Sequence, residues 1–258
     1  NMKGVTDGYD TGQPELMAYL AGNDIIEFSL NIKASIARIE EALKVGSLTR
    51  NQIETKCRRI LHQKYKLGLN KISFQKSKSL ISDINNQTAK DLNNALVKAS
   101  LTVLKRKFLG LPMQDKIASL AINADTLAPF QKEAVRLGYK KHFYLSKNAT
   151  EKQINEIKIA LNNFKHIYLG VIQSSPRPYG QMKISNENLT YINELAKDPR
   201  TMIAWFGNPY SLNQFNSIHQ ASDLVIGYQN NPVTQSAMTQ LFLGNGRASG
   251  TLPAVSYT

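Results

Sequence analysis

Hydrophobic positions recur along this chain with two different periods, and the change of period divides it. Over the first seventy residues the spacing is helical. IKASIARIEEALKVG puts Ile32, Ile36, Ile39 and Leu43 on one face and closes at Gly46, a C-cap residue. LTRNQIETKCRRILHQKYKLGL repeats the pattern with Thr49 as N-cap, Ile53, Cys57, Ile60 and Leu61 as the stripe, and Gly68 as the stop. QPELMAYLA predicts a short helix before them, and Asp24–Ser29, DIIEFS, reads as one strand bounded by Gly22-Asn23. A lone strand leaves its backbone groups without partners, so this region reads as a piece of something larger. From Lys116 onward, apolar runs of strand length (IASLAI, HFYLS, HIYLGVI, TMIAWF, DLVIGY, TLPAVS) alternate with amphipathic stretches. That alternation predicts an α/β fold, a mostly parallel, doubly wound sheet covered by helices on both faces. Between the two regimes, residues 70–90 are rich in Ser, Lys and Asn and read as a linker. A helix is predicted from about Thr88 to Lys107, with Leu92, Leu96, Ala99 and Val103 on one face.

Composition narrows the function classes. The 258 residues are 42% hydrophobic, and no segment approaches eighteen uninterrupted apolar residues. The single cysteine, Cys57, excludes an internal disulfide and a cysteine-rich zinc site, and its place on a helical stretch predicts a packed thiol. The net charge of +13 is unevenly spread: +2 over residues 1–70, +6 over 71–116 and +5 over 117–258. Aromatic residues do not interleave with the basic ones as a single-strand-binding groove requires, so the excess reads as solvated surface and no nucleic-acid partner is expected.

Motifs with chemical meaning are sparse. A doubly wound sheet places its ligand crevice at the carboxyl ends of the strands. Three loops fall there: Ser174–Gly180 (SSPRPYG), Gly207–Ser211 (GNPYS) and Tyr228–Pro232 (YQNNP). Gly244–Gly250, GNGRASG, follows a helix rather than a strand and lacks both the Walker ending and the dinucleotide spacing. It predicts a helix C-cap and turn, with Gly244 or Gly246 at positive φ. His62, His142, His166 and His219 form no HxH or HxxxH pair, so no metal is expected. Ser73-Phe74-Gln75-Lys76 matches Ser-x-x-Lys but sits in the polar linker without its partner motifs.

Taken together, several segments resemble the family three glycoside hydrolases, in particular the bacterial β-N-acetylglucosaminidase branch. Asn1-Met2-Lys3-Gly4 is similar to the tail of the family's nucleophile strand, Thr-Asp-x-x-x-Met-Lys-Gly. AGNDIIEF (Ala21–Phe28) resembles the last barrel strand, and Val45–Leu69 resembles the paired closing helices. KASLTVLKRK, AWFGNPYSL and SAMTQLFLGNGRASGTLPAVS are similar to the second domain, the last of these to its Ser-Gly-x-Leu-Pro ending. The resemblance implies that residues 1–69 are the last part of a (β/α)8 barrel, 70–90 a linker and 91–258 an α/β sandwich domain. It implies that Asn1 is a torn edge and that the nucleophilic aspartate lies three residues before it. The acid/base of the acetylglucosaminidase branch, a histidine, would lie further upstream. The β-glucosidase branch instead carries a glutamate in a second-domain loop. The comparable loop here, Ser174–Lys183, contains no carboxylate.

This chain would then hold neither catalytic group and be inactive alone, with no cofactor. Met2, Lys3, Arg177, Tyr179 and Asn208 would be substrate-adjacent. The implied partners are a carbohydrate substrate and the missing barrel portion of the same protein, with no membrane. The apolar faces of helices Ile32–Val45 and Leu48–Leu67 would pack on the second domain or on a second copy of the chain. For the parent, the resemblance implies a bacterial periplasm or cell envelope. The alternative is a stand-alone flavodoxin-like α/β binding module taking a nucleotide or flavin.

Overall fold

The computed structural model describes residue 5 and residues 7–71, 79–110, 116–174 and 184–253. They fall into two compact units, 1–78 and 79–258.

The first unit is helical. It contains α1 (Gln13–Leu20), α2 (Ile32–Lys44), α3 (Arg50–Lys66) and a 3₁₀ turn at Leu69–Lys71. Local chemistry sets each boundary. The Asn31 side chain accepts from Ala34 N–H at 3.1 Å and starts α2. Thr49 and Gln52 form a reciprocal capping box at the start of α3, with Thr49 N–H donating to Gln52 Oε1 at 2.8 Å and Gln52 N–H to Thr49 Oγ1 at 3.3 Å. Gly46 and Gly68 end the two helices at φ 78° and 75°, in the left-handed region that glycine adopts without penalty. Lys56 ties α3 to the segment after α1: its Nζ donates to Asn23 O at 2.9 Å and lies 4.7 Å from the centroid of the Tyr19 ring.

Two expectations fail in this unit. Asp24–Ser29 is not a strand, and the described residues of the unit contain none. A strand exists only against a neighbour's ladder, and the segment has no neighbour; Phe28 takes φ 53° and is 80% exposed. Cys57 is exposed rather than packed, because the half-buried face of α3 runs through Ile53, Lys56 and Ile60 and leaves the thiol at its margin. The apolar residues Ile32, Ile36, Leu61, Tyr65 and Leu67 are exposed as well.

The second unit is α/β. It begins with α4 (Leu80–Ile84) and α5 (Gln87–Ser100), followed by β1 (Thr102–Lys105) and β2 (Ile117–Ile122). Next come α6 (Pro129–Arg136), β3 (His142–Leu145), α7 (Glu151–Leu161) and β4 (His166–Ile172). It closes with α8 (Asn186–Lys197), β5 (Thr201–Phe206), β6 (Asp223–Ile226) and α9 (Pro232–Phe242), with two 3₁₀ turns between β5 and β6. The predicted helix through Lys107 stops at Ser100. Leu101 turns extended (φ −56°, ψ 125°), and Thr102–Lys105 pairs antiparallel with β6, as its threonine and valine favour. The sheet order is β1-β6-β5-β4-β2-β3, and every pair except β1–β6 is parallel.

All six residues of β2 and of β5 are buried, as parallel strands covered on both faces must be. On one face Leu120, Leu169, Ile203 and Trp205 pack with Ile154, Leu161, Ile192 and Leu195 of α7 and α8. On the other, Ala121, Tyr168, Met202 and Phe206 pack with Phe130 of α6 and with Met238 and Phe242 of α9. Gly170 in β4 has no room for a methyl group, because a Cβ there would run into the Phe130 ring. The fully buried Asp223 carboxylate accepts backbone N–H groups from Lys107, Phe108 and Leu109 at 2.8–3.2 Å and pins the loop after β1 to the start of β6.

Two outcomes are expected. Gly170→Ala overpacks the Phe130 contact and costs about 1–3 kcal/mol, read as a lowered midpoint in thermal unfolding. Glu133, bonded by Arg136 and Gln240, has its carboxyl lowered from 4.5 to about 2. The stability it contributes is complete above its ordinary value and is lost as pH falls from 4.5 toward 2. Acid titration of Glu133→Gln is expected to lack that part of the wild-type loss.

Candidate functional site

All five parallel strands point one way, so their carboxyl ends line one edge of the sheet. Numbered from β2, their order is 2-1-3-4-5, the flavodoxin-like arrangement, which switches direction between β2 and β4. Asn123 stands at that switch point. It adopts φ 71°, uncommon for a residue other than glycine, and its Nδ2 donates to Ile172 O at 2.7 Å. The backbone bend and the side-chain bond together stitch β2 to β4 where a doubly wound sheet otherwise opens.

The open space lies further along, over β4, β5 and β6. It is a cleft of about 460 Å³ lined by Gln173, Ser174, Asn208, Pro209, Tyr228, Gln229 and their neighbours. Gln173 follows β4 and is 4% exposed. Its Oε1 accepts from Asn208 N–H at 2.6 Å and from the Ser211 hydroxyl at 3.1 Å, which fixes the amide's orientation. Its Nε2 is buried without an acceptor. Gly207 permits this packing, since a Cβ there would strike the Gln173 side chain. Asn208 caps the following 3₁₀ turn through Oδ1 to Tyr210 N–H at 2.9 Å, while its carbonyl accepts from Trp205 Nε1 at 3.2 Å. Tyr228 enters at φ 61° with its hydroxyl 2.7 Å from Thr102 Oγ1.

Among the described residues, no acidic or basic side chain lines this cleft. The helix N-termini that could attract an anion are closed by the chain's own side chains. Thr150 caps α7, Ser185 caps α8, and Asn231 accepts from Thr234 N–H at 2.8 Å at the start of α9. At α6, Gln235 Oε1 accepts from Phe130 N–H at 3.1 Å. The described part of this cleft therefore offers uncharged hydrogen-bonding groups, suited to hydroxyls and amides.

Of the residues singled out in the sequence, Asn208 lies in this cleft, with the GNPYS and YQNNP loops around it. Met2, Lys3, Arg177 and Tyr179 lie outside the described residues, as do Ser73–Lys76 and most of the Ser174–Gly180 loop. Gly244 takes φ 82° after α9, as its glycine-rich turn implied. His142 is structural: its Nδ1 is 2.8 Å from Ser119 Oγ and its Nε2 2.9 Å from Tyr139 O. Among the described residues no group of His, Cys, Asp or Glu is arranged to hold a metal. Sequence reasoning missed Gln173, Asn123 and the conformation of Tyr228. The usable signal was position, since each stands one or two residues past a continuous apolar strand.

No protein-family model matches the chain, and no curated protein matches it. Solved structures do. A glycoside hydrolase family 3 β-N-acetylglucosaminidase from Paenibacillus sp. aligns with a TM-score of 0.69 at 17% identity, over 98% of this chain and 49% of its own. A β-glucoside phosphorylase aligns at 0.65 and 19% identity, over 95% and 46%. A β-glucosidase from Listeria innocua in complex with isofagomine aligns at 0.66 and 15%, over 94% and 37%. The chain thus has the fold of part of these enzymes and spans about half the length of the first two. The resemblance read from its motifs holds at the level of fold.

Gln173→Ala removes the acceptor for Asn208 N–H and the Ser211 hydroxyl. It is expected to cost about 1–3 kcal/mol and, through the Trp205–Asn208 bond, to change Trp205 fluorescence in the folded state.

Proposed function

We propose that this chain is the later portion of a retaining glycoside hydrolase of family 3 that acts on β-linked N-acetylglucosaminides. The observation that carries the reading is an alignment over nearly the whole chain with a β-N-acetylglucosaminidase of that family. The branch assignment rests on the sequence, in which Ser174–Lys183 has no carboxylate to serve as a second-domain proton donor. A retaining enzyme needs a carboxylate nucleophile and a proton donor about 5 Å apart. In this reading both belong to the preceding barrel portion, the nucleophile as an aspartate three residues before Asn1 and the proton donor as a histidine on a loop further upstream. The chain alone is then without hydrolytic activity.

Its own contribution is to bind and orient. Met2 and Lys3 stand just past the nucleophile. In this reading Arg177, Tyr179 and Asn208 are substrate-adjacent, and the amides and hydroxyls of the Gln173–Asn208 cleft hydrogen-bond hydroxyl and acetamido groups. The exposed apolar residues of α2 and α3 are covered by the rest of the barrel or by a second copy.

The strand order favours one other reading, a flavodoxin-like module for a nucleotide or flavin. The capped helix N-termini and the uncharged cleft oppose it.

Reading the source gene across the codon for Asn1 tests the proposal. An aspartate three positions upstream, within an apolar strand, is expected. The longer product is expected to cleave a chromogenic β-N-acetylglucosaminide and residues 1–258 are not. An unrelated upstream segment, or a yellow chromophore in purified chain, would sink it.

A further inference from the structure

The crossover from β5 to β6 differs from those before it. The earlier parallel crossovers each carry a helix, α6, α7 or α8, whereas residues 207–222 return through two 3₁₀ turns, Pro209–Gln214 and Ile218–Gln220. Such short turns present no continuous apolar stripe to the sheet. β1, added antiparallel beyond β6, extends the same face outward. Between the turns and the two strands lies a cavity of about 390 Å³. Its wall is apolar: Leu104 of β1, Leu224 of β6, and Leu212, Phe215 and Ile218 of the crossover. The last four belong to the buried cluster under α7 and α8, and Leu104 packs against that cluster half-buried. An apolar wall of this kind offers water no hydrogen bonds.

The remaining side of the cavity is polar. Lys105, Asn213 and His219 line it and are exposed. Lys105 Nζ donates to His219 O at 2.7 Å, which ties β1 to the second turn. A carbonyl takes one of the three ammonium donors and leaves the charge in place. Among the described residues Lys105 has no ion pair, and no carboxylate lines the cavity. Asp223, beside Leu224 in sequence, is fully buried and accepts the backbone amides of Lys107, Phe108 and Leu109.

We infer that this cavity binds a small amphipathic carboxylate, with its apolar body against Leu212, Phe215, Ile218 and Leu224 and its head beside Lys105. A mainly apolar space of this size with a few polar groups on one side is the usual make-up of a small-molecule site. The polar groups select the head. A cation would meet the Lys105 charge, and an uncharged head would leave that charge unanswered. A doubly charged phosphate would bring a second negative charge for which the lining holds no second cation, since an imidazole such as that of His219 is mostly neutral at neutral pH. One carboxylate matches one ammonium, and the Asn213 amide on the same side is a further donor.

The cavity carries its own reporter. Phe215 lies 5.2 Å, centroid to centroid, from the ring of Trp205, the chain's one tryptophan. The test is energy transfer from Trp205 to a dansyl-labelled medium-chain fatty acid titrated into residues 1–258 at neutral pH. Saturable transfer is expected. Lys105→Gln is expected to weaken binding of the acid about tenfold and to leave binding of the matching dansyl-labelled alcohol unchanged. Leu104→Asp, which sets a carboxylate in the wall, is expected to weaken binding of the acid at least as much. The Lys105→Gln comparison decides the matter by itself where Leu104→Asp does not fold. Leu61→Ser, on the exposed apolar surface of α3, is expected to change nothing. Absence of saturable transfer would overturn the inference, as would equal effects of Lys105→Gln on the acid and the alcohol. A loss in Leu61→Ser equal to that in Leu104→Asp would reduce the binding to general apolar adsorption and overturn it. Loss of transfer as the protein is concentrated at a fixed ratio of ligand would assign the cavity to a second copy of the chain instead.

Discussion

Five parallel strands, all but the edge strand β3 buried on both faces, impose the constraint from which the second unit follows. Parallel pairing requires each strand to return to the same starting edge, so each crossover carries a helix or turn across a face. The faces are thereby sealed by Phe130, Met238 and Phe242 on one side and by Ile154, Ile192 and Leu195 on the other. Chemistry is left to the two edges. Gly170 shows how tight the seal is, since the Phe130 ring occupies the space a side chain would take. Where the sheet cannot be covered by a crossover, at its β6 margin, an antiparallel strand closes it instead.

The two edges then diverge. At the carboxyl edge the loops supply amides and hydroxyls, and the helix N-termini are capped by Thr150, Ser185 and Asn231. At the amino edge the strand starts carry lysines. A single topological fact, the common direction of the strands, separates the amide- and hydroxyl-lined cleft from the lysine-bearing strand starts by the length of a strand, about 20 Å. The cost of an unpaired buried amide at Gln173 is located in the cleft at the carboxyl edge, where a ligand oxygen can answer it.

Much of this was legible in the sequence. Continuous apolar runs such as HIYLGVI and TMIAWF announced buried parallel strands, and Thr49, Gly46 and Gly68 marked helix ends that the structure keeps. What was not legible depended on tertiary partners. DIIEFS has strand composition, but composition supplies no ladder. Leu101–Lys105 continues the helical spacing of α5, yet β6, more than a hundred residues later, offers it a better set of hydrogen bonds. Cys57 fits the periodic stripe of α3, but the packed face runs through Lys56 instead, whose amine reaches Asn23. In the cleft, Asn208 could be picked out by its loop. Gln173 could not, because its meaning lies in an amide locked by a backbone N–H thirty-five residues away.

The antiparallel strand β1 also sets an order of events. Its partner is β6, and Thr102 pairs with Ile226 while its hydroxyl meets Tyr228. During synthesis at about 5–20 residues per second, β1 therefore emerges on the order of ten seconds before the strand it must join. Until then it has only α5 as a structured neighbour in sequence, and its own preference can be helical. The margin of the sheet is thus completed last, by a segment made early, and the waiting time belongs to the connectivity rather than to any single contact.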